Sequence, residues 1–72
     1  MERDDDIVTL VKTESEAEAA AIVSLLGSEG IEARMVGDVL RGLRLFPVRI
    51  EILVRRADLA RARAVLADAP EL

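Results

Sequence analysis

The sequence predicts a small two-layer α+β domain, a three-stranded sheet with two helices on one face. Three observations predict it. The runs 31–38 and 46–56 alternate apolar and polar residues at the period of a strand. The stretches 14–30 and 57–70 repeat apolar residues at helical spacing, each leaving one apolar stripe. Finally, 72 residues that are 51% hydrophobic provide for one domain with one core, and disorder is excluded despite 33% charged residues.

Residues 1–6, MERDDD, carry charge without periodicity and are expected to be a flexible acidic N-terminus ahead of a single domain over 7–70. IVTLVKT, residues 7–13, is a short run dominated by β-branched residues and Leu, which predicts a strand buried on both faces or nearly so. The next stretch, 14–30, is rich in Ala, Glu and Leu, all strong helix formers. Ser15 with Glu18 makes a capping box, and Thr13 with Glu16 is a competing register. Ala19, Ile22, Val23 and Leu26 form the stripe. Glu14, Glu16 and Glu18 sit where the positive end of the helix dipole favours acids. Gly27 or Gly30 supplies the left-handed stop.

In residues 31–38, Ile31, Ala33 and Met35 point one way and Glu32, Arg34 and Val36 the other. In 46–56, Val48, Ile50, Ile52 and Val54 are expected to face inward, with Arg49, Glu51, Leu53 and Arg55 outward. Pro47 has no amide hydrogen and belongs at the start of that strand. The final helix, 57–70, has Asp58 as N-cap, Pro70 as its end, and Leu59, Ala62, Val65, Leu66 and Ala69 on one face.

The order β-α-β-β-α predicts a ferredoxin-like βαββα sandwich, a split β-α-β unit with strand order 1-3-2. Strands 2 and 3 are expected to pair as an antiparallel hairpin, and strand 3 to run parallel to strand 1. The outer edge of strand 1 has no evident cover.

Composition narrows the chemistry sharply. There is no His, Cys, Trp or Tyr and one Phe. Disulfides are therefore excluded, and structural zinc lacks its usual ligands. The common neutral-pH base and the thiolate nucleophile are both missing, so no catalytic residue, metal ligand or cofactor site is expected. Residues 1–38 hold ten acidic and three basic side chains, and residues 39–72 four acidic and seven basic. A sequence pI near 4.7 and one aromatic residue argue against nucleic-acid binding. No stretch approaches the ~20 apolar residues of a membrane span, and an acidic start is the wrong charge for a secretory signal. The expected location is cytoplasmic.

The run SEAEAAAIVSLLGSEGIEARMVGD, followed by a loop and VRIEILVRRADLARARAVL, resembles the DUF2007 family over about residues 7–67. The resemblance is carried by the helix start at Glu16–Glu18, by Leu25, Leu26, Gly30 and Ile31 at the helix end, and by the valine-rich strand running into the last helix. It implies a short bacterial signal-transducing domain with a fold similar to the nitrogen-regulatory PII (GlnB-like) group. It also implies a binding or regulatory role. These are core and cap positions, so they carry over no site residue, and PII-type nucleotide binding does not transfer.

Three features remain as candidates. The connector 37–46 is long for a hairpin and unusually apolar. Leu40, Arg41, Leu43, Arg44 and Phe46 would suit a partner-docking loop, with apolar anchors and Arg contacts. The alternative is that its leucines fold back over the open end of the core. The sheet face away from the helices is expected to expose Val11, Val36 and Leu53 among charges, which together with the uncovered edge of strand 1 suits self-association as a homodimer through face or edge. A cluster of Arg55, Arg56, Arg61 and Arg63 could hold an anion. The function expected is a non-catalytic protein-interaction or signal-transducing module with an unknown protein partner. The alternative is a sensor for an anionic metabolite or nucleotide.

Overall fold

The computed structural model describes residues 3–37 and 49–69. Strand β1 (Ile7–Thr13) leads to helix α1 (Glu16–Ser28), then β2 (Ala33–Gly37) and β3 (Ile50–Arg55). A 3₁₀ turn (Arg56–Asp58) opens into helix α2 (Leu59–Asp68). The sheet order is β1-β3-β2, as expected, and the domain is a ferredoxin-like α+β sandwich.

The direction of β3 corrects one expectation. It runs antiparallel to both neighbours, β1 included. A helical crossover returns β2 in the same sense as β1, and the connection from β2 reverses the chain once more. The strand inserted between that parallel pair therefore opposes both.

α1 starts at the expected Ser15 cap, with Thr13 in place of Glu18 serving the Ser15 amide. The Ser15 side chain accepts from the Glu18 amide at 3.1 Å, and the Thr13 hydroxyl accepts from the Ser15 amide. The helix ends at Gly30, whose φ of 79° is the left-handed conformation that glycine takes without strain. The Gly30 amide donates to the Gly27 carbonyl and the Ile31 amide to that of Leu26, a Schellman closure that leaves Ile31 and Leu26 both in the core.

α2 starts differently from expectation. Asp58 makes no side-chain cap bond and has helical dihedrals. The preceding 3₁₀ turn has already begun the winding, so Asp58 lies inside the coil, and its carboxylate is not presented to the free amides. Those amides are served from far away in sequence. Arg56 N–H donates to the Asp6 carbonyl at 2.8 Å and Ala57 N–H to the Asp4 carbonyl at 2.9 Å. Residues 3–6, expected to fray, form a turn closed by Asp6 N–H to the Arg3 carbonyl, and this turn docks on the start of the last helix.

The difference between the helix starts is measurable. Ser15→Ala should cost about 1 kcal/mol, the usual worth of an N-cap, while Asp58→Ala should stay within about 0.5 kcal/mol. Urea denaturation of the two variants checks this, and equal losses would contradict it.

The core is one cluster under the sheet. Ala19, Ile22 and Leu26 of α1, Ile31, the inward residues Ile50, Ile52 and Val54 of β3, and Ala62 of α2 are buried. α1 packs mainly over β2 and β3, and α2 over β1 and β3. β1 is not buried on both faces. Its register slips between Thr9 and Val11, where Leu10 is the extra residue of a β-bulge. Val8 is paired with Val54, and beyond the bulge Val11 is paired with Ile52. Val8, Leu10 and Val11 all pack against the core. Three of the four apolar residues of IVTLVKT thus share one inward face across a bulge, and the fourth, Ile7, points outward.

Candidate interaction surface

With both helices on one side, no other described element covers the opposite side of the sheet. Its residues follow from the register. Ile7, Thr9 and Lys12 of β1, Leu53 and Glu51 of β3, and Arg34 and Val36 of β2 lie opposite the helix side. Ile7 is 59% exposed and Val36 47%, while Leu53 between them is half-buried. These three run diagonally across all three strands. They floor a groove of ≈ 390 Å³ walled by Glu32, Arg34 and Arg55.

The charges around this diagonal are ordered. Arg55 and Glu32 form an ion pair at 2.6 Å, with Arg34 at 4.0 Å from the other Glu32 oxygen. On the opposite side the Thr9 hydroxyl donates to Glu51 Oε1 at 2.9 Å, and Lys12 is the cross-strand neighbour of Glu51. Exposed pairs of this kind add little stability, about 0–1 kcal/mol each. Their value here is positional, since each holds a charged head at a fixed place beside the apolar line.

The expected self-association residues divide. Val36 and Leu53 are on this face. Val11 is not, because the bulge at Leu10 changes the parity of the strand and turns Val11 toward the core. Ile7, expected in a strand buried on both faces or nearly so, takes its place as the most exposed large apolar residue among the described residues. The one mark of the bulge in IVTLVKT is that polar Thr9 and Lys12 lie three residues apart, a spacing that uninterrupted alternation puts on opposite faces and the inserted residue brings to one. The connector residues Leu40, Arg41, Leu43, Arg44 and Phe46 lie outside the described residues.

Three of the four arginines of the expected anion cluster are placed apart. Arg55 is engaged by Glu32 on the sheet face. Arg61 donates from Nη2 to the Glu29 carbonyl at 3.2 Å, placing a cation at the C-terminus of α1 where the helix dipole favours it. Arg63 is exposed on α2. Among the described residues no group of three or more His, Cys, Asp and Glu could hold a metal ion. Nor is any described helix long and apolar enough to cross a membrane.

Residues 7–70 match the model of the DUF2007 family, whose description reads "Putative prokaryotic signal transducing protein". No curated protein and no solved structure matches the chain.

Proposed function

The chain belongs to the DUF2007 family, and from that premise we propose that it is a non-catalytic regulatory module of signal transduction that works by binding protein. The observation that carries the reading is the open sheet face, where Ile7, Leu53 and Val36 form an apolar line framed by fixed charges. A chain without His or Cys lacks the usual groups for proton transfer and nucleophilic attack near neutral pH, which favours contact over catalysis. The open face takes a second copy of the chain, and the apolar, Arg-bearing connector 37–46 takes a protein partner. The lack of Cys suits a reducing cytoplasm.

Two measurements test this. A pull-down with wild type should recover a partner that a Leu43→Glu, Arg44→Glu variant loses, its folding having been checked by circular dichroism. Identical recovery by both would exclude the connector as the docking element. A thermal-shift panel of nucleotides and organic acids should show no stabilisation. A ligand at about 100 times its Kd would add about 2.7 kcal/mol, and such a shift would replace this reading with that of a metabolite sensor.

A further inference from the structure

We propose that the sheet face forms a symmetric homodimer whose two-fold axis runs along the diagonal Ile7, Leu53 and Val36. This rests on the reading above that the open face takes a second copy, and it adds which residue meets which. The register supplies the map. The first row across the sheet holds Ile7, Arg55 and Glu32, the last placed by its ion pair to Arg55. The second holds Thr9, Leu53 and Arg34, and the third Lys12, Glu51 and Val36.

When two copies of one face meet across a two-fold axis in the interface plane, each residue meets the one at its mirror position across that axis. An axis along the apolar diagonal sets Lys12 against the partner's Glu32 and Arg34 against the partner's Glu51. Arg55 then meets the partner's Thr9. The apolar residues meet their own copies on the axis, and no like charges meet. Symmetry doubles each pair, so four opposite-charge contacts flank the apolar line.

Three other simple axes through Leu53 fail this test. Along the opposite diagonal, Arg34 meets Arg55, while Lys12 and Glu32 each meet their own copy. Along β3, Arg55 and Glu51 each meet their own copy. Across the strands, Arg34 does. Like-charge juxtaposition is what interfaces avoid, so the charge pattern selects the apolar diagonal. Pairing through the outer edge of β1 is disfavoured independently, because the bulge at Leu10 interrupts the regular ladder that another strand would need.

The test is a charge exchange read by sedimentation and native mass spectrometry. Arg34→Glu alone and Glu51→Arg alone each set like charges together twice per dimer, and each should raise the dimer Kd at least tenfold. Mixed in equal amounts, the two variants restore both opposite pairs, so the mixed dimer should exceed either variant's own dimer at least tenfold. Lys12→Glu mixed with Glu32→Lys should behave alike, and serves if either member of the first pair fails to fold. A wild-type dimer whose reversals change nothing, or whose mixtures show no preference, would overturn the diagonal axis while leaving a homodimer standing. A wild-type chain that stays monomeric up to about 1 mM, the weak end of measurable association, would overturn both.

Discussion

Replacing Ile52 with alanine is expected to remove most of the stability of this domain, while the same change at its neighbour Leu53 is tolerated. Ile52 is 0% exposed at the middle of the central strand, with Val11 and Met35 as cross-strand partners and the helices beneath. Truncating a buried Ile loses the transfer free energy of the missing atoms and leaves a cavity, together about 2–5 kcal/mol. At about 0.05–0.15 kcal/mol per residue, a chain of this length holds roughly 4–11 kcal/mol in total. Leu53 points to the open face and should cost about 1 kcal/mol in dilute solution. Urea unfolding with an unchanged m value measures both. If Ile52→Ala lost under about 1 kcal/mol, the core described here would be misplaced. Should the Leu53→Ala cost grow with protein concentration, the open face is being covered by a second copy, as mass action requires.

The second large effect is a reversal of sign between two glycines three residues apart. Gly30→Ala should destabilise by about 1–2 kcal/mol, because a Cβ at a φ of 79° clashes with its own backbone. The space around it is not the obstacle, since the nearest outside atom, Arg61 Nη2, would lie 3.8 Å from the new carbon. Gly27→Ala should instead stabilise by about 0.5–1 kcal/mol. Its position is helical, a Cβ there meets nothing within 4 Å, and alanine restricts the unfolded chain. Thermal unfolding of the pair decides it. Two changes of the same sign would mean that α1 does not end at Gly30, and Gly30→Asn should recover part of the loss because Asn tolerates this conformation best among the other residues.

The two glycines also show how far the sequence could be read. Either could have stopped the helix, and the choice fell to Gly30 because Ile31 must drop into the core beside Leu26. The Ser15 cap was legible because its partners lie within three residues. The cap of the last helix was not, because the groups that serve it come from Asp4 and Asp6, some fifty positions earlier. Asp58 looked like a cap by local rules, and the 3₁₀ turn before it made that role unnecessary.

The candidate face divides in the same way. Val36 and Leu53 were legible from strict alternation in their strands. Ile7 keeps the outward parity of Thr9, whereas Val11 turns inward because one inserted residue reverses every later side chain in β1.

Element types, their order, the core stripes of both helices and the absence of His and Cys were determined by the sequence itself, since periodicity and composition act over a few residues. Tertiary structure decided the direction of β3, the bulge in β1, the remote cap on the last helix and the charge map of the open face. Each of these depends on which residues distant in sequence become neighbours, and that is set only when the sheet closes over its helices.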